Sequence, residues 1–284
     1  MGGRDADRNT SNKHQNMNTK PTDTAASYAT RRINGGDSEA AAPIKPPPMK
    51  QITARKFKAA IKLDPAWALT LTEPVEITGY CNMGGSEVSH LSPLLHFAGR
   101  NAKGNAASFS CCKNLKVAEG TFAGCVQFDE SGVETIGKLH VTSPNTNGFA
   151  AHFCHCEKLK VAEGTFQGMV CFSYSGITRI GELITAADSE GNAAYFNECE
   201  RLKVADGAFP GCVSFCGSGV ERVSKLVIAK ANCDNIKANF LGCDIRLPAE
   251  FLGPEYVMDD STRRKNLGRI AASKAIGATP ALEI

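Results

Sequence analysis

Phe109-x-x-Cys112-x-x-Leu115-Lys116-Val117-Ala118-Glu119-Gly120-Thr121-Phe122 is the stretch that decides the fold, because the chain repeats it twice. It returns at 153–166, beginning Phe153-x-x-Cys156, and at 196–209, beginning Phe196-x-x-Cys199. The copies are offset by 44 and 43 residues, and no gap interrupts the shared block. A fixed period of this size is typical of a stacked repeat, in which each unit contacts mainly its neighbours.

Each unit of about 44 residues contains two coils, because a Leu-x-hydrophobic triplet recurs at alternating spacings of about 20 and 24 residues. The triplets are Leu95-His96-Phe97, Leu115-Lys116-Val117, Leu139-His140-Val141, Leu159-Lys160-Val161, Leu183-Ile184-Thr185, Leu202-Lys203-Val204 and Leu226-Val227-Ile228. Their mean spacing is typical of leucine-rich repeats. We expect about eight or nine coils of short parallel strands, in which the middle residue of each triplet faces outward. Leu69-Thr70-Leu71 and Ile245-Arg246-Leu247 are candidate first and last strands.

The repeat resembles the BspA-type leucine-rich repeat family. The resemblance rests on Phe-x-x-Cys-x-x-Leu and on a Val-x-x-Ile-Gly step at 133–137 that returns at 177–181, and it covers roughly residues 85–251. The chain departs from the family pattern in its 20/24 alternation and in lacking Ile-Pro after the strand. The resemblance implies a mainly β, leucine-rich-repeat-like solenoid and protein or surface binding, which is common among its bacterial members. It implies no catalytic residues.

Composition divides the chain into three parts. Residues 1–48 are polar and contain Pro46-Pro47-Pro48, which predicts a disordered N-terminal tail. Residues 49–255 form the predicted solenoid, with an amphipathic cap helix at about 49–63 and Trp67 packed beneath it. Residues 256–284 form a predicted C-terminal helical tail, whose helix begins at Asp260 or Ser261 and ends near Ala275. This helix is either a tight cap or a loosely docked tail.

Most of the twelve cysteines follow the repeat. Two predicted inward columns are Cys112, Cys156, Cys199 and Cys243, and Cys125, Met169 and Cys212. Methionine in the second column suits packing, so we interpret both columns as small, buried, reduced side chains. His152 and His155 beside Cys154 and Cys156 form a local cluster that is an alternative metal site, since structural zinc takes about four Cys or His ligands. We predict no metal and no cofactor.

The sequence predicts a protein that is not an enzyme. It contains no phosphate-cradling Gly-Lys motif, no His-Glu-x-x-His and no nucleophile elbow. Candidate acids such as Glu119, Glu163 and Asp206 recur once per unit, and a residue that recurs is more typical of a scaffold than of a single catalytic site. A cleft around His152 to Cys156 is the place for an undetected enzyme activity.

The predicted strand face is rich in cations, although the solenoid region as a whole is slightly acidic. We take its candidate binding residues to be Lys116, Lys138, His140, Lys158, Lys160, Ile184, Arg201, Lys203, Lys225 and Val227. One interpretation is a protein-recognition face for an acidic partner surface. The other is a solvated face whose lysines keep the sheet soluble.

A nucleic-acid or anionic-surface binder is the alternative function, using the basic face together with the basic tails. Nucleic acid is the weaker expectation because the face contains no Tyr, Phe or Trp on which bases stack. No run of about 20 apolar residues predicts a transmembrane helix, and the N-terminus has no apolar signal-peptide core. We therefore expect a cytoplasmic protein, or one exported without a cleavable signal peptide, as for a bacterial effector.

Overall fold

The computed structural model describes residues 49–275, which fold into a mainly β solenoid of parallel strands. The predicted disordered tail, residues 1–48, lies outside the described residues. Within 49–275, no helix is both long enough and apolar enough to cross a membrane. The predicted fold class, a solenoid of short parallel strands flanked by two helices, is confirmed.

Two stacks of strands run the length of the solenoid. The front sheet holds β1 Lys50–Thr53, β2 Val75–Thr78, β4 Leu95–Phe97, β6 Gly120–Phe122, β8 Leu139–Val141, β10 Val161–Phe166 and β12 Arg179–Ile184. Strands β14 Val204–Phe209 and β16 Arg222–Ile228 extend the front of the solenoid next to β12, but they pair with each other as a separate two-stranded sheet. The back sheet holds β3 Cys81–Asn82, β5 Asn105–Ser108, β7 Cys125–Gln127, β9 Phe149–His152, β11 Met169–Cys171, β13 Asn192–Tyr195, β15 Cys212–Ser214, β17 Ala238–Asn239 and β18 Tyr256–Val257. Each coil contributes one strand to each sheet, so β2 with β3 is coil 1 and β16 with β17 is coil 8.

A third side connects the back sheet to the next front strand. We call it the side ladder, because residues of successive coils pair there in parallel, as His90 pairs with Val117 and Val117 with Thr135. Strands β10, β12, β14 and β16 are longer, because each includes both its side-ladder residues and its front-strand residues. The register shifts between these two parts of the strand, through bulges at Ala162/Gly164 and Ala205/Gly207.

A stack of phenylalanine rings fills the core where each coil leaves the back sheet. Successive rings lie 5.1–5.5 Å apart with interplanar angles of 12° or less. One ring comes from each of coils 2 to 8: Phe109, Phe128, Phe153, Phe172, Phe196, Phe215 and Phe240. Each is essentially inaccessible to solvent, so the stack removes a large apolar area from water in every coil.

Serine and cysteine alternate in the column beside the phenylalanine stack. Each cysteine places Sγ 3.5 Å from the serine Oγ of the preceding coil and donates to a backbone carbonyl at 3.0–3.1 Å. The pairs are Ser86–Cys112, Ser131–Cys156, Ser175–Cys199 and Ser218–Cys243. Burial raises the pKa of Cys156 to about 11, so its thiol stays protonated at neutral pH. Both predicted inward columns are buried, the second with Cys125, Met169 and Cys212.

The predicted strand triplets are correct in the even-numbered coils and misplaced in the odd-numbered coils. Leu139–Val141 is strand β8, but Leu115-Lys116-Val117 contributes only the paired residue Val117 to the side ladder. The front strand of that coil is Gly120–Phe122. Gly120 takes φ of 117°, and a Cβ there would lie 2.8 Å from the Leu95 carbonyl oxygen. Leu139 begins its front strand, whereas Leu115 lies five residues before the start of its own at Gly120. The alternating Leu spacing in the sequence does not reveal this shift.

The N-terminal cap combines a strand and a helix. Helix α1 spans Ala54–Leu63, five residues shorter than predicted, because Lys50–Thr53 pair with β2 instead. Phe57 packs edge-on against Trp67 at 5.8 Å and against Phe97 at 5.6 Å, which confirms Trp67 beneath the helix. The candidate first strand at Leu69–Leu71 is wrong, since Trp67–Thr70 form a 3₁₀ turn.

The C-terminal helix α2, Asp260–Ala275, closes the last coil through polar side chains. Asn266, 1% exposed, accepts from Leu247 N–H and donates to the Ile245 carbonyl, both at 2.9 Å. Its amide thus continues the hydrogen bonding of the open edge, as a further strand would. The neighbouring Leu267 is 52% exposed and adds nothing to this contact. Since Tyr256–Val257 pair with β17 inside the back sheet, the solenoid extends past the predicted boundary at 255.

We predict that Asn266→Ala lowers the free energy of unfolding by about 1–3 kcal/mol, because it leaves the Ile245 carbonyl and the Leu247 N–H buried without partners. The measurement is urea denaturation followed by circular dichroism. Leu267→Ala is the control on the exposed face of the same helix and should change stability by less than about 0.5 kcal/mol. Equal losses in the two variants would contradict the capping role.

Thr185 introduces a hydroxyl into the inward front column, at the position that Val141 occupies two coils earlier. Its Oγ1 is buried and has no hydrogen-bond partner among the described residues. We predict that Thr185→Val raises the free energy of unfolding by about 1–3 kcal/mol, because it removes this uncompensated group at nearly constant volume. Thr165→Val, on the outward face of β10, is the control. A destabilised Thr185→Val would mean that the hydroxyl is satisfied in solution.

Candidate protein-binding surface

The structure distributes the ten predicted binding residues over four positions of the coil. The turn before the side ladder holds Lys158 and Arg201, and the side ladder begins with Lys116, Lys160 and Lys203. Between the side ladder and the front strands lie Lys138 and Lys225. The outward face of the front strands carries His140, Ile184 and Val227. The residue that pairs with His140 on β6 is Thr121, not Lys116. The prediction that Lys116 and His140 share one strand position is therefore wrong.

The lysine column is interrupted by other side chains. In the following coil, Glu134 donates its N–H to the Lys116 carbonyl, Thr178 to that of Lys160 and Glu221 to that of Lys203. The Lys203 ammonium also lies 3.0 Å from Glu221 Oε1. Glutamates thus lie beside two of the three lysines, so the lysines alone make a weaker positive field than the sequence predicted.

An arginine column stands next to these lysines and was missed by the sequence reasoning. Arg179, Arg222 and Arg246 occupy the outward side-ladder position in coils 6, 8 and the segment after coil 8, and all three are exposed. The signal was present, because Arg179 and Arg222 are 43 residues apart and each follows a Gly-hydrophobic-x step. In the N-terminal half the same position holds Val117 and Thr135, so the column is confined to one half of the solenoid.

The arginine column forms no ion pair within the described residues. Arg222 and Arg246 are direct partners in a parallel bridge, and like charges directly opposite each other destabilise a sheet. None of the four ion pairs found within residues 49–275 includes an arginine. A shallow depression lined by both arginines also contains Glu221 and Asp244, but these carboxylates are already paired with Lys203 and Lys265. The guanidinium groups therefore remain available to an external anion.

Asp206 lies between the arginines of neighbouring coils, on β14. Its Oδ1 is buried and has no hydrogen-bond partner within the described part of the chain. Burial raises the pKa of the Asp206 carboxyl, and the charges of Arg222 and Arg179 only partly oppose that rise. The surface thus holds a carboxylate at a cost to stability, as residues at binding sites often do.

An apolar row on β12, β14 and β16 runs beside the arginine column. Ile184 on β12 is 59% exposed and Val227 on β16 is 61% exposed, and Ala208 on β14 pairs with Val227 between them. We call Arg179, Arg222 and Arg246 together with Ile184, Ala208 and Val227 the arginine–apolar surface. Exposed aliphatic side chains next to unpaired arginines are typical of protein interfaces, whose centres are apolar and enriched in Arg.

A separate group of metal-ligand side chains lies on the back sheet. Of the four predicted residues, only His152 and Cys154 come together, since Cys156 points into the core and the His155 ring stacks on Tyr174 at 4.7 Å. Asp129 completes the group, and Cys171 Sγ lies 3.1 Å from Cys154 Sγ. The hydrogen bond between the two thiols lowers the pKa of Cys171 to about 7 and raises that of Cys154. Burial lowers the pKa of His152.

Comparison with known proteins gives no relative from which a site can be transferred. No protein-family model, no curated protein and no solved structure matches the chain. The function is therefore inferred from two features of the molecule, the arginine–apolar surface and the Asp129–His152–Cys154–Cys171 group.

We predict that Asp206→Asn raises the thermal midpoint at pH 7. Because the pKa of Asp206 is higher in the folded chain than in the unfolded chain, its ionisation destabilises the fold as the pH rises through the interval between the two values. The asparagine variant does not lose this stability. Its advantage should be constant near pH 7 and vanish near pH 4, about the pKa of an unfolded Asp.

The measurement is thermal unfolding of both proteins over this pH range. Glu163→Gln makes the same amide exchange at the repeat-equivalent position two coils earlier, and controls for the loss of one charge from the chain. An advantage that does not depend on pH, or an equal gain in the control, would show that the cost is not the ionised Asp206 carboxylate.

Proposed function

We propose that this chain is a non-enzymatic binding protein that recognises an acidic protein surface through the arginine–apolar surface. The observation that carries the proposal is an arginine column that forms no ion pair within the described residues. Arg222 faces Arg246 directly, and the carboxylates of Glu221 and Asp244 in the same depression are paired with lysines instead. A carboxylate-bearing partner would turn this repulsion into charge-assisted, bidentate hydrogen bonds.

The apolar row favours a protein partner over nucleic acid. Ile184, Ala208 and Val227 offer aliphatic contact but no aromatic ring, whereas proteins that bind single strands stack bases on aromatic side chains. A protein segment that carries Asp or Glu next to aliphatic residues is complementary to both rows at once. The resemblance to BspA-type repeats agrees with this role, because it implies protein or surface binding and no catalytic residues.

The parallel strands supply a rigid support for such a surface. Strands β12, β14 and β16 each carry one member of both rows, except that Val204 replaces arginine on β14. Successive coils stack about 4.8 Å apart, so positions two coils apart, such as 179 and 222, are about 10 Å apart. Because the backbone of a sheet moves little, the surface is preorganised and loses little conformational freedom on binding.

The test uses a pair of double charge reversals. The full chain, Arg179→Glu/Arg222→Glu and Lys138→Glu/Lys158→Glu are compared in affinity capture from an extract of the cells that make the protein, with nuclease added. We predict a partner that the wild type and the lysine variant recover and the arginine variant loses. The two variants change the net charge equally, so the comparison separates a specific surface from general electrostatics.

Direct binding to the purified partner then gives the magnitude. We expect the arginine variant to weaken the affinity at least about tenfold, and Ile184→Ser/Val227→Ser to weaken it without changing the unfolding midpoint. Affinity should fall as salt rises from about 0.05 to 0.15 M. Equal losses in the arginine and lysine variants, or recovery that nuclease abolishes, would refute the proposal, and the second result would favour nucleic acid.

A further inference from the structure

The group on the back sheet joins three successive coils. Asp129 follows β7 in coil 3, His152 ends β9 and Cys154 follows it in coil 4, and Cys171 ends β11 in coil 5. His152 and Cys171 are direct partners in the parallel pairing of β9 with β11. The sheet itself therefore brings together one carboxylate, one imidazole and two thiols that are spread over positions 129 to 171 of the chain.

Three of the ligand atoms lie close enough to share one small cation. Those of Asp129, His152 and Cys154 are all within 4.8 Å of one another, and Cys171 lies outside this group with its Sγ 3.1 Å from Cys154 Sγ. In a tetrahedral zinc site with bonds of about 2.0–2.3 Å, ligand atoms are about 3.3–3.8 Å apart. Zinc binding therefore requires the first three ligand atoms to move closer together and the Cys171 Sγ to move away from Cys154 Sγ. The half-buried setting of Asp129, His152 and Cys154 leaves a path from solvent.

Neighbouring groups hold these side chains in place. Asp129 Oδ1 accepts a hydrogen bond from the Cys154 N–H at 3.0 Å, which orients the carboxylate and leaves Oδ2 for a ligand. The His152 ring lies 4.3 Å from the Phe149 ring, and Cys171 Sγ lies 3.3 Å from Ser173 Oγ. Such outer contacts fix ligand orientation in metal sites.

The repeat shows that the scaffold does not require these residue types. At the outward back-sheet position, other coils carry Ser108, Gln127, Tyr195 and Ser214, and at the following turn position they carry Ser110, Ser173, Asn197 and Cys216. Small polar residues at the two positions hydrogen-bond each other, as Ser108 does with Ser110 at 3.3 Å and Ser214 with Asn197 at 2.6 Å. The change to Asp, His, Cys and Cys occurs once, across adjacent coils, as expected for a site and not for a repeated packing solution.

We propose that Asp129, His152, Cys154 and Cys171 bind one Zn²⁺ ion. Thiolate and imidazole ligands suit zinc, and a carboxylate completes a four-coordinate site. The ion links coils 3, 4 and 5 on the back sheet, a different face from the arginine–apolar surface.

The experiment titrates the full chain, purified with a chelator and kept reduced, with Zn²⁺ in equilibrium dialysis. Co²⁺ serves as a second probe, because cobalt bound to thiolate gives sulfur-to-metal charge-transfer absorption. The expected result is one ion per chain. Cys154→Ser and Cys171→Ser should each weaken the affinity at least about tenfold and reduce the charge-transfer band, as loss of a ligand requires.

The repeat supplies substitutions that the fold tolerates and a matched control. Serine replaces Cys154 with the residue found at 110 and 173, and His152→Gln places the residue found at 127. Cys216→Ser changes a thiol at the same turn position three coils later and should bind zinc as the wild type does. If the wild type binds no zinc, or if Cys154→Ser and Cys216→Ser bind it equally, the proposal is overturned. Circular dichroism of each variant verifies that the fold is retained.

Discussion

The stack of seven phenylalanine rings is the constraint on which the rest of the structure depends. Rings 5.1–5.5 Å apart and nearly parallel set the distance between coils, and that distance is only slightly larger than the spacing of about 4.8 Å that parallel strands need for hydrogen bonding. The chain turns sharply two residues after each ring, and Cys111, Glu130, His155, Tyr174 and Glu198 all take positive φ there. One buried side chain per coil thus sets both the spacing of the coils and the place where each coil turns.

Because the interior is filled by a few columns of identical residues, the outward positions are free to vary. The structure uses that freedom differently on its three sides. The side ladder carries alternating charge near the N-terminal end and arginines near the C-terminal end, whereas the front sheet turns from His96 and His140 to the aliphatic Ile184 and Val227. The two ends of the solenoid are closed by different means. At the N-terminal end, Phe57 of helix α1 packs on Phe97, and at the C-terminal end the amide of Asn266 hydrogen-bonds to the backbone of the last coil.

Much of the fold could be predicted from the sequence, because burial and period are local properties. The inward cysteine columns and the two-coil unit follow from repeated residues at fixed offsets, and the position of Trp67 follows from the amphipathic segment before it. The register of the outward columns did not follow. Leu115-Lys116-Val117 and Leu139-His140-Val141 look alike, yet a bulged backbone that requires Gly120 places them five residues out of phase. Asp129 and Cys171 were missed because only the pairing of separate coils brings them to His152 and Cys154.

In a repeat of this kind, a site is recognisable as a local departure from residues that the scaffold accepts elsewhere. Arg222 opposite Arg246 is such a departure, since the same ladder position accepts Val117 and Thr135 without charge. The Asp, His and two Cys on the back sheet are another, since serine suffices in other coils. The arginine pair costs stability through like-charge contact, and neither departure is needed to stack the coils. The two groups lie on different faces and on different coils, so occupation of one leaves the other accessible.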